Sequence, residues 1–540
     1  MTVTTTLTGG DVLAESLLAN GVDTIFALPG VQLDGAFDAL ARRRDQLHVL
    51  QTRHEQGAAY MALGYALATG RVGTCLVVPG PGLLNAMAAL STANACSAPV
   101  LCLTGQIASR DIGKGYGRLH EIPYQLEATR SVAKWAARAM SHAEIADAVR
   151  EAFRQLRTGR PAPVEVEVPP DVLLGATSEP LRFEGAPISS PALPEGEVAH
   201  AATLLRDARR PLLVAGGGVL RSGAWDELRR VAERLGAPVL LTQNALGAMD
   251  VDHPLAVVPL GGRRLLGEAD VVLAVGTRFA DNEEGRRRVR PGQTLIRVDV
   301  WDEELRRGVE PEIAIEGDAR RVLAALLDEL GPGRPVAGWE GIAELKQELA
   351  QVSGRIGALA ELGGAIRRAT PDETVFVSGM TQIGYWSRYG FPVHRPRTFL
   401  SSGYQGTLGF EYPTGLGAQV GRPDTRVVVL TGDGGFLFNA GELATAVQHR
   451  IPAIVMVFDD GAYGNVKRMQ QQQFGREIAS DLRNPDFLHL AQAFDMKAFR
   501  ARTPEEVESA LREAQDWDGP VLIHVPVPAF PDPWTFTRTF

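Results

Sequence analysis

Short runs of consecutive apolar residues, rich in Val, Leu and Ile, alternate with amphipathic stretches along most of this chain. Consecutive apolar positions are typical of strands that are covered on both faces, and amphipathic stretches are typical of surface helices. Because such strands and helices alternate, the sequence predicts parallel sheets in α/β domains. The clearest strand candidates are residues 74–78, 99–104, 211–215, 270–275, 426–431 and 454–458.

The chain is predicted to fold as three α/β domains, each with a doubly wound parallel sheet. At 540 residues it is too long for a single core, and about 150 residues per domain gives three or four units. Two segments rich in Pro, Gly and Ser, 175–197 and 331–338, have the composition of linkers. They delimit domains at 1–172, 198–330 and 355–540, and the first and third share a plan of strand, Gly-rich turn and helix.

The composition excludes several classes of protein. With 45% hydrophobic and 22% charged residues it is close to the average soluble chain. The net charge is −9, from 64 acidic and 55 basic side chains, which argues against nucleic acid or an anionic membrane as a general partner. Cys75, Cys96 and Cys102 lack the spacing of a zinc site or a disulfide framework. We therefore predict that they are buried as small apolar side chains.

No segment is expected to cross a membrane or to direct secretion. The first ten residues lack the basic start and apolar run of a signal peptide. The uncharged stretch 72–109 is interrupted by Pro79, Pro81 and Pro99, which favours a buried strand, turn, helix and strand over a membrane span. We therefore expect a soluble, cytoplasmic protein.

The strongest local signal is the sequence Gly-Asp-Gly-Gly at 432–435, which directly follows a predicted buried strand. A helix is expected to begin after it, near Asn439 or Gly441. Glycines let backbone N–H groups approach an anion, and a helix N-terminus favours negative charge there. A carboxylate beside a phosphate is what Mg²⁺ needs, so Asp433 is a candidate metal ligand. Taken alone, the turn fits an ordinary glycine turn equally well.

A second strand strengthens the metal prediction. It ends in Asp-Asp-Gly-Ala-Tyr-Gly at 459–464. The carboxyl ends of two parallel strands lie side by side, so Asp433 and Asp460 are expected to face one cation. Without a cation, two carboxylates at one sheet edge would repel each other.

These two motifs together resemble the diphosphate site of thiamine-diphosphate-dependent enzymes, in which G-D-G is followed at a distance by N-N. The resemblance implies that Mg²⁺ is held by Asp433, Asp460 and the backbone carbonyl of Ala462. It also implies that the cofactor diphosphate lies beside the remaining residues of the motifs, Gly434, Gly435, Tyr463 and Gly464. The chain departs from the pattern in carrying two aspartates in place of the Asn pair, and the charge of Asp459 is unexplained.

The segment 50–59 resembles the stretch that carries the family's catalytic glutamate, here Glu55. The resemblance implies that Glu55 hydrogen-bonds the aminopyrimidine ring and exchanges a proton with it, so that the cofactor reaches its reactive tautomer. From the residues alone, Glu55 is equally well explained as a carboxylate that stabilises the start of a helix, by less than about 1 kcal/mol.

Two turns in the N-terminal piece resemble other cofactor-binding parts of the family. Residues 26–30, which include Pro29, are similar to its first strand and turn. Residues 79–82 with Asn85 are similar to its S-G-P-G-x-x-N turn.

Two loops of the C-terminal piece are also similar to the family. Residues 378–382 end a strand, and the resemblance implies that Thr381 and Gln382 contact the diphosphate. Residues 402–410 resemble the loop that bends the cofactor into a V. There the carbonyl of Gly406 would receive the 4′-amino group, and Leu408 would separate the two rings.

The central piece resembles the central domain of acetolactate synthases, which binds FAD in some members. It carries Gly-containing turns at 215–218 and 276–279, each after a predicted strand. The segment 259–267 is shorter than the FAD-contacting stretch of those synthases. FAD is therefore kept only as a disfavoured alternative.

Acetolactate synthase is the family most similar to the chain, yet the substrate side departs from it. Residues 119–121 read Leu-His-Glu where those synthases carry Phe-Gln-Glu, and Met469 stands in place of a Trp. Val31 and Gln32 replace small residues. His120 is either a structural histidine or an acid–base group, since His titrates near neutral pH.

The resemblance implies a pyrimidine-binding N-terminal domain, a Rossmann-like central domain and a C-terminal domain that binds diphosphate and Mg²⁺. It implies a lyase or carboligase that acts on a 2-oxo acid or related carbonyl compound through an ylid and an enamine. The alternatives are a simple 2-oxo acid decarboxylase and an inert nucleotide- or FAD-binding relative, against which Glu55 and Asp433 argue. The family also implies a homodimer or homotetramer with each active site between two subunits.

Overall fold

A computed structural model describes residues 6–187, 191–279, 289–333 and 339–531. Within these ranges the chain forms three six-stranded parallel sheets and one two-stranded antiparallel pair. Each parallel sheet uses one continuous part of the chain, so the predicted fold class of three α/β units is confirmed. The antiparallel pair joins β1 (Leu7–Thr8) to β8 (Ala176–Thr177).

The N-terminal sheet is built from β2 (Thr24–Ala27), β3 (His48–Gln51), β4 (Gly73–Val77), β5 (Val100–Gly105), β6 (Trp135–Arg138) and β7 (Val164–Val168). The helices of this part are α1 (Gly9–Ala19), α2 (Asp34–Ala41), α3 (Glu55–Thr69), α4 (Pro81–Ala95), α5 (Gln125–Arg130), α6 (His142–Arg157) and α7 (Pro170–Leu174). The strand order is β3-β2-β4-β5-β7-β6. The order in which strands are added reverses between β2 and β4. Sheets of this kind bind ligands at such a switch point.

The central sheet is built from β9 (Pro211–Ala215), β10 (Val239–Leu241), β11 (Ala256–Val257), β12 (Val271–Val275), β13 (Thr294–Asp299) and β14 (Ile313–Glu316). Its helices are α8 (Glu195–Asp207), α9 (Gly217–Ser222), α10 (Trp225–Leu235), α11 (Gly262–Glu268), α12 (Asp302–Leu305) and α13 (Ala319–Leu330). The strand order β11-β10-β9-β12-β13-β14 is that of a Rossmann sheet, with its switch point between β9 and β12.

The C-terminal sheet is built from β15 (Val375–Ser378), β16 (Phe399–Ser401), β17 (Val427–Gly432), β18 (Ile454–Asp459), β19 (Lys497–Arg500) and β20 (Val521–Pro526). The helices are α14 (Ile342–Gly354), α15 (Ala358–Arg368), α16 (Gln382–Gly390), α17 (Glu411–Gly421), α18 (Asp433–Phe438), α19 (Leu443–Gln448), α20 (Gly464–Phe474), α21 (Phe487–Ala493) and α22 (Pro504–Gln515). The order β16-β15-β17-β18-β20-β19 repeats that of the N-terminal sheet, strand for strand. Its switch point lies between β15 and β17.

The most central strands are buried on both faces, as their apolar sequences predict. Every residue of β4, β5, β9 and β12 is buried. The uncharged stretch 72–109 forms β4, α4 and β5, and the three cysteines are buried and free, so both predictions are confirmed. In the described part of the chain, no helix has the length and apolar content needed to span a bilayer.

Glycines bring a helix of the N-terminal domain against a helix of the C-terminal domain. A Cβ added at Gly64 in α3 would lie 1.9 Å from the backbone oxygen of Thr414 in α17, and one added at Gly417 would lie 1.9 Å from that of Met61. The two backbones therefore meet at distances that only glycine permits. This packing joins the two domains that carry the predicted site.

The predicted start of one helix was wrong, and the structure describes only part of each predicted linker. The helix after the glycine turn begins at Asp433 itself, with Gly432 as its N-cap, and not near Asn439 or Gly441. Gly434 and Gly435 therefore lie in the first turn of this helix, where the backbone N–H groups have no intrahelical partner. Residues 188–190 and 334–338 of the predicted linkers lie outside the described residues, and the domain boundaries stay predictions.

Candidate active site

Two carboxyl groups lie at the ends of neighbouring strands in the C-terminal sheet. β17 and β18 pair in parallel with Gly432 opposite Phe458, and Asp433 and Asp460 directly follow these strands. Asp433 is 2% exposed. Desolvation, together with the charges of Asp460 and Asp459, raises the pKa of Asp433 to about 6. Burial also raises the pKa of Asp460, so this edge of the sheet favours a bound cation.

Side-chain amides orient both of these carboxyl groups. Asn484 Nδ2 donates a hydrogen bond to Asp433 Oδ2 at 2.6 Å and another to Asp459 Oδ1 at 2.8 Å. Gln382 Nε2 donates to Asp460 Oδ2 at 2.8 Å. The structure thus places Gln382, predicted from the end of β15, beside the second candidate metal ligand.

Asp459, whose charge the sequence left unexplained, has a set of partners of its own. His524 Nε2 lies 2.9 Å from Asp459 Oδ2, and the N–H of Gly461 donates to Asp459 Oδ1 at 3.1 Å. With the amide of Asn484, three groups stabilise this carboxylate. Asn484 and His524 are absent from the predicted residues because they lie far along the chain and no local motif marks them.

The loop 461–464 is fixed by a second segment of the chain. Two backbone hydrogen bonds of 2.8 Å join it to residues 480–482, and Ala462 pairs with Asp481 in an isolated bridge. The carbonyl of Ala462, the third predicted metal ligand, therefore belongs to a loop held on both sides.

Close approaches explain two glycines of the motifs. A Cβ at Gly434 would lie 2.6 Å from the ring of Tyr463, and one at Gly464 would lie 2.5 Å from Asp460 Oδ2. A larger residue at either position would displace the loop or the carboxyl group that the site uses.

Glu55 begins α3, which follows β3, and its side chain lies beside the turn after β4. Its side chain is buried, at 8% exposure. Asn85 Nδ2 donates a hydrogen bond to Glu55 Oε2 at 3.0 Å, and a Cβ at Gly82 would lie 3.2 Å from Glu55 Oε1. The predicted turn 79–82, Asn85 and Glu55 therefore lie together.

The predicted substrate-side residues of the N-terminal domain gather beside the same turn. His120 has a left-handed φ of 66°, and its backbone oxygen would lie 2.2 Å from a Cβ at Gly80. Gln32 Nε2 donates to the carbonyl of Leu119 at 3.2 Å. His120 Nδ1 is buried and has no hydrogen-bond partner among the described residues. Val31 is 63% exposed.

The loop 402–410 lies between the two domains. Gly406 has a left-handed φ of 58°, and a Cβ there would lie 3.2 Å from Met380 Cε. The hydroxyls of Thr407 and Thr92 are 3.0 Å apart, which ties the loop to α4. Leu408 is half-buried. The remaining predicted positions lie apart from these groups. Thr381 is at the N-cap position of α16 without a side-chain capping hydrogen bond, Pro29 is exposed after β2, and Met469 is exposed on α20.

The sequence matches the thiamine pyrophosphate enzyme families in all three domains. Residues 7–128 match the N-terminal TPP binding domain, residues 198–326 the central domain and residues 379–525 the C-terminal TPP binding domain. The chain belongs to the thiamine-pyrophosphate-dependent enzymes. It is therefore an enzyme that forms or cleaves carbon–carbon bonds with this cofactor, as predicted, and the inert alternative is disfavoured.

Relatives within the thiamine-pyrophosphate-dependent enzymes cover nearly the whole chain. A probable acetolactate synthase large subunit of Methanococcus aeolicus is 32% identical, over 96% of this chain and 91% of that one. A probable 2-ketoarginine decarboxylase of Pseudomonas aeruginosa is 35% identical, over 96% and 94%. The acetolactate synthase isozyme 1 large subunit of Escherichia coli is 30% identical, over 97% and 94%. The predicted resemblance to acetolactate synthases is confirmed.

A cavity of about 1520 Å³ lies at the switch point of the central sheet and extends to Gly403 and Tyr404 of the loop 402–410. Its lining includes Gly217 and Gly218 of the first predicted turn, all of the turn 276–279 and much of 259–267. A Cβ at Gly216 would lie 2.1 Å from the backbone oxygen of Gly276, so the two turns pack closely against each other. The disfavoured FAD alternative concerns this cavity and stays a prediction.

Proposed function

We propose that this enzyme cleaves the bond next to the carbonyl carbon of a 2-oxo acid and, in the presence of a second carbonyl compound, joins the retained fragment to it. The reaction would be that of a lyase or carboligase similar to acetolactate synthase. The observation that carries the proposal is the hydrogen bond from Asn85 to Glu55 in the N-terminal domain, together with Asp433 and Asp460 at the ends of the neighbouring strands β17 and β18 in the C-terminal sheet.

The residues of the C-terminal site fit Mg²⁺. Asp433 and Asp460 offer carboxylate oxygens and Ala462 a backbone carbonyl oxygen, and Mg²⁺ prefers a few such oxygens together with those of a phosphate. The raised pKa of Asp433 reflects burial beside other acidic groups, which a divalent cation would relieve. Zinc or a softer metal would want the sulfur or imidazole ligands that this group does not contain.

The cofactor would be held by backbone and side-chain groups from two domains. Its diphosphate would contact the residues around the two metal carboxylates, namely Thr381, Gln382, Gly434, Gly435, Tyr463 and Gly464. The carbonyl of Gly406 would accept a hydrogen bond from the 4′-amino group, and Leu408 would lie between the two rings of the cofactor. When bound, thiamine diphosphate supplies the electron sink for carbon–carbon cleavage.

Protein side chains would handle the protons. Glu55 would exchange one with the ring nitrogen of the aminopyrimidine, while the amide of Asn85 keeps the carboxyl oriented. His120 carries a buried Nδ1 without a described partner, which suits a group that donates or accepts a proton near the reacting carbon. Val31, Gln32 and Met469 would border the substrate.

We further propose that the active site is completed by a second subunit, in a homodimer or homotetramer. The N-terminal and C-terminal parts of the proposed site both carry large apolar side chains that are more than half exposed, and exposed apolar surfaces typically mark interfaces. These are Val31, Tyr116, Leu119 and Tyr124 in the N-terminal domain and Tyr404, Phe438, Met469 and Phe474 in the C-terminal domain.

Subunit mixing tests the shared site directly. Glu55→Gln and Asp433→Ala should each be inactive alone. When the two are unfolded together and refolded, half of the dimers are mixed, and each has one intact site, so about a quarter of the parent activity should return. No recovery would place Glu55 and Asp433 of one chain in the same site.

Substrate class is tested by a panel of 2-oxo acids with and without aldehyde or 2-oxo acid acceptors, read by mass spectrometry. The panel includes pyruvate, 2-oxobutyrate and 2-ketoarginine, the compound in the name of one relative. Carboligation products support the proposal. Aldehyde alone, from every donor, would support the simple decarboxylase instead, and no turnover with added cofactor and Mg²⁺ would contradict both.

A further inference from the structure

Glu411 is a buried carboxyl group at the switch point of the C-terminal sheet that the proposed chemistry does not use. It begins α17, directly after the loop that carries Gly406 and Leu408. The residue is 1% exposed. The charge of Arg388 acts on this carboxyl group, but the two side chains form no ion pair among the described residues.

The carboxyl group lies between the ends of β15 and β17. Its Oε1 accepts a hydrogen bond from the N–H of Met380 at 3.1 Å. A Cβ at Gly379 would lie 2.2 Å from Oε1, and one at Gly435 would lie 3.5 Å from Oε2. Gly379 and Met380 follow β15 and lead into Thr381, whereas Gly435 belongs to the glycine turn after β17. One side chain therefore hydrogen-bonds the loop after β15 and lies beside the glycine turn after β17, the two loops that are proposed to hold the diphosphate.

Two polar atoms in this region have no partner among the described residues. They are Glu411 Oε2 and Arg388 Nε, and both residues are more than nine-tenths buried. The Arg388 guanidinium contacts the sulfur of Met380 at 3.1 Å and the ring of Tyr385. Leaving buried polar atoms unpaired is unfavourable. The packing of α17 alone therefore does not explain why these two polar side chains are buried here.

We propose that Glu411 is a positioning residue for the bound diphosphate: it holds the loop after β15 against the glycine turn after β17, so that both loops meet the ligand together. This inference rests on the proposed function, since it assumes that thiamine diphosphate binds at this switch point. Gly379 is part of the same device, because only glycine leaves room for the carboxyl group there.

The test measures affinity for thiamine diphosphate at saturating Mg²⁺ by calorimetry, so it does not depend on turnover. Glu411→Ala should weaken binding at least about tenfold, the effect of leaving the N–H of Met380 without its acceptor in a buried region. Glu411→Gln should stay within about threefold of the parent, because its amide oxygen still accepts from Met380. Gly379→Ala keeps Glu411 but displaces it, and should weaken binding too; it also serves if Glu411→Ala fails to fold.

A double-mutant cycle separates positioning from general stability. Because Gly379→Ala acts through the Glu411 carboxyl, it should weaken binding little further in the Glu411→Ala background. Glu165, fully buried with both oxygens unpaired among the described residues, is the matched control in the N-terminal sheet. Glu165→Ala should change the melting temperature without changing the cofactor Kd.

Each other outcome has a definite meaning. Unchanged binding by both Glu411→Ala and Gly379→Ala, while the parent binds, overturns the role of Glu411 and leaves the proposed function standing. An equal loss of affinity in Glu165→Ala also overturns it, because general destabilisation would then suffice. If the parent binds no thiamine diphosphate, the proposed function and this inference fall together.

Discussion

Glu442 of the C-terminal domain accepts a hydrogen bond of 3.0 Å from the backbone N–H of His54, the residue that caps the helix beginning with Glu55. The N–H of Arg53 lies 3.2 Å from each Glu442 oxygen. A Cβ at Gly57 would lie 2.2 Å from Glu442 Oε1. The start of the helix that carries the candidate catalytic carboxyl is thus fixed by a buried side chain of another domain.

Removing this carboxylate should destabilise the interface between the two domains. In Glu442→Ala the N–H groups of Arg53 and His54 lose their acceptor, and the free energy of unfolding should fall by about 2 kcal/mol. Glu442→Gln, which can still accept, should lose less. Urea unfolding followed by tryptophan fluorescence measures the change. Glu303, whose side chain is 73% exposed, supplies the control, and Glu303→Ala should change stability by less than about 0.5 kcal/mol.

The metal pair should respond in a graded way. Asp433→Ala removes one of two proposed carboxylate ligands and should abolish Mg²⁺-dependent binding of thiamine diphosphate. Asp460→Asn should be milder, since the amide oxygen remains a ligand and restores the family's usual residue. Calorimetry with and without Mg²⁺ measures both, with the exposed Asp424→Ala as control. Cofactor affinity in Asp433→Ala equal to that of the parent would contradict the metal assignment.

The raised pKa of Asp433 gives a dependence on pH with a definite sign. In the metal-free protein this pKa is about 6, above the ordinary value of 3.8, so the folded state holds the proton more tightly. The protonated carboxyl therefore stabilises the folded state. This stabilisation is complete below about pH 4 and is lost as the pH rises through about 6. Asp433→Asn should therefore melt at a higher temperature than the parent at pH 7.5 but not at pH 4.

Bound Mg²⁺ should favour the ionised form of Asp433 over the protonated form, because the cation binds the carboxylate. Binding of the cation with the cofactor should weaken below about pH 6 and should release a proton there. Calorimetry in two buffers of different ionisation enthalpy counts that proton. A proton count of zero at pH 6 in the parent, or a count that is the same in Asp433→Asn as in the parent, would contradict the assignment.

The sequence was sufficient for the fold and for the local parts of the site, for physical reasons. Buried parallel strands leave runs of apolar residues, and the turns after them need glycine, so 432–435 and Asp433 could be located by pattern. Glu442 could not be found this way. Its partners, Arg53 and His54, lie almost 390 residues away, and only the packing of α3 on α17 brings them together.

The same limit applies to Asn484 and His524, whose side chains surround Asp459. An isolated Asn or His in a sequence has many ordinary explanations, and nothing in the local pattern indicates a metal site. The helix after the glycine turn was misplaced for a different reason. Glycine disfavours helix interiors, but at a first turn the penalty is small, and Gly434 and Gly435 occupy that turn.

His120 offers a test of the substrate side. If it transfers a proton near the reacting carbon, His120→Ala should lower kcat while leaving the Kd for thiamine diphosphate nearly unchanged. Because its φ is 66°, His120→Asn is the better tolerated replacement, since Asn adopts the left-handed region more readily than Ala. Equal losses of activity and of melting temperature in both variants would indicate a structural histidine instead.

Glu55→Gln tests the residue on which the chemistry depends. The amide has the size of the carboxyl group and can still bond to Asn85, so the fold and most of the cofactor affinity should persist. It cannot exchange the proton that the aminopyrimidine requires, so turnover should fall at least about 100-fold, as expected for a positioned acid–base group. Hydrogen–deuterium exchange at the reactive carbon of the bound cofactor, quenched in acid and read by NMR, isolates this step. Asn85→Ala, which leaves the carboxyl but removes its 3.0 Å donor, should give a smaller loss. Exchange in Glu55→Gln as fast as in the parent would mean that Glu55 only stabilises the start of α3, and the catalytic assignment would be wrong.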